Sequence, residues 1–150
     1  MSRRIKISIE NLHSRYRINK KKIADLAERI LRSEKSNSSL DIILVQDSFI
    51  RKLNRDFRKK DNTTDVLSFG MTEGKRIGQE MNYLGDIYIC LDQAKRQSKE
   101  YKIPFMEELY RLVVHGVLHL LGYEHKTLKQ KKKMTEMENY FVARTQGKKK

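Results

Sequence analysis

The sequence predicts one α+β domain with about four strands and about five helices. Three observations support this fold class. Isoleucines alternate with polar residues near the N-terminus, short apolar stretches recur between residues 40 and 91, and helix-type periodicity occupies most of the rest. A chain of 150 residues is long enough for one core, and neither a repeat nor a linker divides it, so we expect residues 1–150 to form a single domain.

Four stretches have the pattern of β-strands. In residues 3–10, isoleucines alternate with polar residues, which is typical of a half-buried strand. LDIILVQ, residues 40–46, is a continuous apolar run and predicts a buried strand. DVLSFG, residues 65–70, and LGDIYICL, residues 84–91, predict a third and a fourth strand. Because a predicted helix separates the strands at 40–46 and 65–70, we expect part of the sheet to be parallel.

The predicted helices are recognised by their first residues and their apolar faces. Asn19, Asp47 and Asp92 can each cap a helix, and Pro104 suits the first turn of a fourth. Gly122 is expected to end that fourth helix in a left-handed cap. The apolar residues assigned to these helices and to a last amphipathic helix are Ile23, Leu26, Ala27, Ile30, Leu31, Ile50, Leu53, Phe57, Phe105, Leu109, Leu112, Val113, Leu118, Leu128, Met134, Met137, Tyr140 and Phe141.

Three polar segments are expected to lie outside the regular elements. SEKSNSS, residues 33–39, predicts a polar loop, and TEGKRIGQE, residues 72–80, predicts a mobile loop that contains glycine. QGKKK, residues 146–150, is expected to be a frayed tail.

Composition narrows the partners and the compartment. Thirty-three Lys and Arg against nineteen Asp and Glu give a net charge of +14, which favours a polyanion such as nucleic acid. A lysine-rich thermophile surface is the alternative. No apolar run approaches the roughly 18 residues that span a membrane, and the N-terminus lacks a signal-peptide core. Cys90 is the only cysteine, so no intramolecular disulfide can form, and we expect a cytoplasmic protein.

HGVLHLLGYEH, residues 115–125, contains three of the four histidines. His115 and His119 lie one turn apart on the same face of a predicted helix. After Gly122 the chain can turn back and bring His125 to the other two. Three imidazoles with Zn–N distances of about 2.0–2.1 Å leave a fourth position for water, as in catalytic zinc sites. The alternative is that these histidines serve only packing and hydrogen bonding.

The spacing of these histidines also equals the metzincin pattern H-E-x-x-H-x-x-G-x-x-H. The general base of that pattern directly follows the first histidine, where this chain has Gly116. Glycine cannot accept a proton from a zinc-bound water. A zincin-type metallopeptidase is therefore an alternative function rather than the leading one.

The histidine block closely resembles the H-G-x-L-H-L-x-G-Y-D-H signature of the YbeY family, bacterial endoribonucleases and ribosomal RNA maturation factors. LNRDFRKKDNTTDVLSF, residues 53–69, and LGDIYI, residues 84–89, are similar to two further blocks of that family. This chain has Thr63 where the family usually has proline, and Glu124 where it usually has aspartate.

The resemblance implies a zinc-dependent, single-strand-specific endoribonuclease that acts in small-subunit ribosomal RNA 3′-end maturation and in ribosome quality control. Its implied partners are single-stranded RNA, ribosomal RNA and the small ribosomal subunit or its associated proteins, with no membrane. It also implies a mixed four-stranded sheet surrounded by helices, one of them a zincin-like metal-binding helix. His115, His119 and His125 match the family's metal ligands, and Arg58 matches its functionally important arginine. We expect one Zn²⁺ per chain, although three imidazoles also accept Ni²⁺ or another divalent ion.

His115 and Arg58 are the candidate catalytic residues. A guanidinium is always charged and pairs with phosphate through two hydrogen bonds, so Arg58 can stabilise the charge of the transition state. The alternative for Arg58 is a solvated side chain among neighbouring cations. The general base stays open: Glu124 could be that base or could orient an imidazole, and the RNA 2′-hydroxyl could itself be the nucleophile. A ribosome-assembly factor with a structural, non-catalytic zinc ion is a further alternative.

Overall fold

The computed structural model describes residues 5–71 and 83–146. These residues form, in chain order, β1 (Ile7–Asn11), α1 (Lys20–Ser33), β2 (Ser39–Val45), α2 (Asp47–Arg58), β3 (Val66–Gly70), β4 (Tyr83–Cys90), α3 (Leu91–Tyr101), α4 (Phe105–Leu120) and α5 (Leu128–Thr145). The predicted α+β class, with four strands and five helices, is confirmed for this part of the chain. Residues 3 and 4 of the first predicted strand, the predicted loop at 72–80 and residues 147–150 of the tail lie outside the described residues. Among the described helices, none has the length and hydrophobicity that crossing a membrane requires.

The sheet is mixed, with strand order β1-β2-β4-β3. β1, β2 and β4 run parallel, and β3 pairs antiparallel with β4 at the edge. The expected parallel pairing is confirmed, but the reason for it was wrong: β2 and β3, which flank α2, are not neighbours and run in opposite directions. Within the described residues β1 begins at Ile7, so residues 5 and 6 of the predicted strand precede its ladder with β2, which starts at the pair Ile7–Leu40.

The two faces of the sheet are covered by different helices. Ile87 and Ile89 of β4 belong to the main core, which the sheet forms with α1, α3, α4 and α5. Tyr88 and Cys90 point the other way and join a smaller cluster with Ile50 of α2. α2 therefore lies on the opposite face from α4, and the edge strand β3 separates the ends of these two helices.

The predicted ends of two helices are confirmed. Asn19 caps α1, because its side chain accepts a hydrogen bond from the backbone N–H of Lys22. Gly122 has a φ of 105°, and its N–H donates to the carbonyl of His119 while the next N–H donates to that of Leu118. This pair of bonds is the Schellman motif, which satisfies the last carbonyls of α4 and reverses the chain.

Asp47 and Asp92 do not cap their own helices, contrary to the prediction. Each is inside the first turn, and each carboxylate binds a neighbouring element instead. Asp47 pairs with Arg96 of α3, while Asp92 accepts the backbone N–H of Asp47 and contacts His13. The cause is the sheet order: β2 and β4 are parallel and end in register, so α2 and α3 begin side by side.

Three apolar helical residues are more exposed than the periodicity predicts. Phe57 is on the same face as the buried Ile50, but the last turn of α2 reaches the sheet edge, and Phe57 is 66% exposed. Leu128 begins α5 ahead of its first buried residue, and Tyr140 lies off the buried face of that helix. Periodicity identifies the face of a helix but not where its packing partner ends.

Candidate metal centre

Three imidazole rings meet where the end of α4 and the segment after it come together. The ring centres of His115 and His119 are 6.4 Å apart, and the ring of His125 lies 5.3 Å from the first and 6.1 Å from the second. Three imidazoles around a tetrahedral zinc ion, with Zn–N distances of about 2.0–2.1 Å, would have ring centres about 5 Å apart. Two sides of the triangle are more than 1 Å longer than this, so the rings would have to move inward to bring three nitrogens to one ion.

α4 can present the histidines to solvent because its other side packs tightly on the sheet. Gly116 is on that packed side: a Cβ atom at this position would lie 2.7 Å from Cγ2 of Ile87. Glycine is therefore what lets α4 approach β4 so closely. A glutamate directly after His115 would be directed at the sheet rather than at the imidazoles.

Two of the rings are held in a form that suits metal binding. Nδ1 of His115 lies 2.8 Å from Oε2 of Glu138, a residue that is only 6% exposed. When Nδ1 donates its hydrogen to that carboxylate, the lone pair of Nε2 is left for a ligand. The pKa of His119 is lowered, mainly because its ring is partly removed from solvent and secondarily because a positive charge on the neighbouring His115 would repel one on His119. His119 is therefore neutral at neutral pH, as a metal ligand must be.

Glu138 is itself held by a buried polar network. Its Oε1 lies 3.5 Å from Nη1 of Arg111, which in turn contacts Glu108 at 2.6 and 2.9 Å. Glu108 is fully buried and also accepts a hydrogen bond of 2.6 Å from Gln97. Because each carboxylate in the network has a cationic or amide partner, the network holds Glu138 in place against His115.

Arg58 faces the same cleft as the three histidines. The cleft encloses about 690 Å³ between the last turn of α2 and the C-terminal half of α4, with β3 between them. Nη2 of Arg58 donates a hydrogen bond of 2.9 Å to the carbonyl of Ser68, which holds the guanidinium at the sheet edge. The structure thus brings all four predicted site residues to one cleft. Its described lining residues are Asn54, Arg58, Lys60, Asn62, Thr63, Thr64, Val66, Leu67, Ser68, His115, His119 and His125.

Comparison with known proteins agrees with the motif resemblance. The family model described as Endoribonuclease YbeY matches residues 8–146. The chain belongs to the YbeY family. It is 42% identical over 120 residues to the Endoribonuclease YbeY of Syntrophotalea carbinolica, covering 79% of this chain and 80% of that one. It is also 42% identical over 130 residues to the Endoribonuclease YbeY of Aquifex aeolicus, covering 85% of both.

A solved structure supports the same fold. The solution structure of TM1509 from Thermotoga maritima matches with a TM-score of 0.65 at 30% sequence identity, covering 94% of this chain and 89% of that one. The mixed sheet with surrounding helices, which the YbeY resemblance implied, is confirmed.

Sequence reasoning on this YbeY-family chain missed Glu138 and considered Glu124 instead. Within residues 5–71 and 83–146, Glu124 forms no hydrogen bond with an imidazole; it is exposed and lines a second cleft beside His119. The available signal for Glu138 was its position four residues after Met134, on the buried face of an amphipathic helix. A carboxylate in such a position needs a partner, because burying an unpaired charge is costly.

A second cluster of possible metal ligands lies elsewhere in this YbeY-family fold. Ligand-type atoms of Asp47, Cys90 and Asp92 lie within 4.8 Å of one another. Each already has a protein partner: Arg96 binds both oxygens of Asp47, the Cys90 thiol donates to Asp47, and Asp92 contacts His13. Burial raises the pKa of the Cys90 thiol to about 12, so a metal would have to displace its proton at neutral pH. The contacts of this cluster connect the first turn of α2 to α3.

Proposed function

We propose that this chain is a metal-dependent endoribonuclease that cleaves single-stranded RNA. One observation carries the proposal: three imidazoles and a guanidinium line a single open cleft. Membership of a family whose relatives bear the name Endoribonuclease YbeY gives it independent support.

His115, His119 and His125 would hold one Zn²⁺ or another divalent ion. Neutral nitrogen donors suit zinc, and three of them leave a position open to water or substrate. When bound, such an ion supplies Lewis-acid stabilisation of phosphoryl oxygens and activation of water. His115 is the ligand whose orientation the fold controls most closely, through its contact with Glu138.

Arg58 would bind the scissile phosphate. Ser68 occupies one N–H of the guanidinium and leaves others to pair with phosphoryl oxygens. The positive charge stabilises the extra negative charge of the transition state, and this requires no proton transfer. Removal of the nucleophile's proton falls to another group, for which Glu124, beside His119 in the adjoining cleft, is the candidate. The nucleophile is water or the 2′-hydroxyl of the RNA.

Surface charge supports a nucleic-acid substrate. The net charge is +14, and the exposed Lys60 lines the cleft beside Arg58. Arg55 and Lys59 are exposed near Arg58 at the end of α2, where they can contact phosphates farther along a strand. We further propose that the biological substrate is ribosomal RNA in cytoplasmic small-subunit 3′-end maturation and quality control, with the small subunit or its proteins as partners.

The test is a cleavage assay that separates the three candidate functions. Zinc-loaded, chelated and zinc-restored protein, together with His119→Ala, are incubated with a single-stranded RNA, a hairpin of the same composition and casein. We expect cleavage of the single strand only, lost on chelation and in the variant and regained with zinc.

Two other results would contradict the proposal. Casein hydrolysis that follows zinc would indicate a peptidase, which the packing of Gly116 on Ile87 disfavours. Absence of any cleavage, with chelation lowering only the melting temperature, would indicate an assembly factor with structural zinc.

A further inference from the structure

The histidine cleft continues around the edge of the sheet. A second cleft of about 550 Å³ shares Arg58, Ser68 and His119 with the first. A third recess of about 250 Å³ shares Phe57 and Phe69 with the second. Because the histidines are on the α4 side of the sheet and Phe69 is on the α2 side, the three together form one groove that crosses β3.

Aromatic rings line the far end of this groove. The ring centres of Phe57 and Phe69 are 5.8 Å apart, those of Phe69 and Tyr88 are 5.9 Å apart, and Phe49 stacks on Tyr88 at 5.9 Å. Phe57 is 66% exposed although it lies on the same face of α2 as the buried Ile50. A phenylalanine this exposed adds little to the core and presents a free ring face beside the proposed phosphate site.

We propose that Phe57 and Phe69 form a stacking subsite for an unpaired nucleobase of the RNA strand whose phosphate binds Arg58. This inference rests on the proposed function, since it names a further part of the same substrate and where that part binds.

The guanidinium of Arg58 and the aromatic rings are close enough to bind the phosphate and the base of neighbouring nucleotides. Cζ of Arg58 lies over the ring of Phe69, 5.0 Å from its centre, so the phosphate-binding charge covers one face of Phe69 and the base would stack beside it, on the exposed ring of Phe57. Every base has a π face, and stacking on aromatic side chains gives affinity without sequence preference. A strand that passes from the imidazoles over Arg58 would therefore find a stacking surface directly beyond the guanidinium.

Charge at the end of the recess favours a base over a phosphate. Asp86 lines the recess with Tyr88, and the Tyr83 hydroxyl donates a hydrogen bond to the Asp86 carboxylate. A carboxylate repels phosphate but can accept a hydrogen bond from the amino group of a base. The groove is thus cationic where we place the phosphate, and aromatic with one acid where we place the base.

The test compares RNA with and without bases. Binding of a short fluorescein-labelled oligouridylate, and of the same chain with abasic sugars, both with a cleavage-resistant 2′-O-methyl phosphorothioate backbone, is measured by anisotropy with the zinc-loaded wild type and with Phe57→Ala, Phe57→Leu and Phe57→Tyr. We expect Phe57→Ala to weaken binding of the oligouridylate by about tenfold or more, and to leave binding of the abasic chain within about twofold. Phe57→Leu keeps apolar bulk without a ring and should behave like alanine, whereas Phe57→Tyr should bind like wild type.

Tyr140→Ala is the matched control, because Tyr140 is 52% exposed but lies on α5 and lines none of the three connected clefts. It should leave both affinities unchanged. Equal losses for both probes in Phe57→Ala, or no loss for either, would overturn the subsite and leave the aromatic patch to a protein partner. Since binding is measured without cleavage, base-dependent binding by an inactive protein would support the subsite and contradict only the nuclease proposal.

Discussion

Two clusters in this fold each bring together three side chains of metal-binding type, and their surroundings differ. His115, His119 and His125 line an open cleft, and the contact of His115 with the buried Glu138 leaves the other nitrogen of that ring for a ligand. In the second cluster the carboxylates of Asp47 and Asp92 are already bound, by an arginine and the Cys90 thiol at Asp47 and by a backbone N–H and a histidine at Asp92.

The difference teaches that proximity alone does not make a metal site. A ligand atom must keep an unshared lone pair in the folded state and must reach the metal-binding protonation state at working pH. Desolvation acts in opposite directions on the two clusters. It lowers the pKa of His119 and so favours the neutral donor, whereas it raises the pKa of the Cys90 thiol and so disfavours the thiolate that would bind a metal.

Removal of a ligand should have the largest effect. We expect His119→Ala, and likewise His115→Ala, to abolish zinc loading, because two imidazoles do not hold the ion through desalting. Cys90→Ala should keep one zinc per chain. Metal content by mass spectrometry after loading with equimolar zinc and desalting checks both; wild-type stoichiometry in either histidine variant would refute the ligand assignment.

Substitution of Arg58 should lower the cleavage rate and leave the zinc content unchanged. We expect Arg58→Ala to lower the single-turnover cleavage rate by about 10²–10³-fold with unchanged zinc content, because a transition-state charge loses its partner. Arg51→Ala is the control, since Arg51 is on the same helix, lies 2.9 Å from Asp61 and lines neither of the two clefts that contain Arg58. Unchanged turnover in Arg58→Ala would remove this residue from the mechanism.

Loss of the carboxylate behind His115 should have an intermediate effect. Glu138→Gln keeps a hydrogen-bond acceptor but loses the charge that raises the basicity of the ring, so zinc affinity should fall by about 10–100-fold. Competition with a chromophoric chelator measures this affinity. Glu136→Gln, an exposed position on the same helix, should bind zinc like wild type. Equal affinities of the two variants would contradict a positioning role for Glu138.

The cluster of Asp47, Cys90 and Asp92 should affect the stability of the protein at alkaline pH and should not affect its zinc content. The Cys90 thiol has a pKa of about 12 in the folded protein against an ordinary value of 9.0. Below pH 9 the thiol is protonated in both states; above it the unfolded chain loses the proton first, so the free energy of unfolding falls as pH rises. Urea unfolding between about pH 8 and pH 10.5 should show a steeper decline in wild type than in Cys90→Ala. Parallel curves would contradict the buried, neutral thiol.

Most of the fold, and the proximity of the three histidines, could be predicted because both depend on local sequence spacing. The positions of His115 and His119 follow from helix periodicity, and the return of the chain follows from Gly122. The contact between His115 and Glu138 spans 23 residues and joins two helices, so no local pattern specifies it. Tertiary contacts likewise decide the exposure of Phe57, which depends on where the sheet ends beneath α2.

The pairing of Asp47 with residues of α3 shows the same limit. An aspartate at the start of a helix predicts a cap, and both Asp47 and Asp92 occupy such positions. Only the placement of β2 beside β4 brings the two helix starts together and gives each carboxylate a better partner than its own backbone. The sequence of either helix alone does not reveal that β2 lies beside β4.

The most direct measurement of the central claim is X-ray absorption spectroscopy at the zinc edge of the zinc-loaded protein. If the histidine triangle is the metal centre, the first shell contains only nitrogen and oxygen atoms at about 2.0–2.1 Å, with the outer-shell scattering of imidazole rings. A sulfur atom at about 2.3 Å would place the ion at Cys90 and contradict the account.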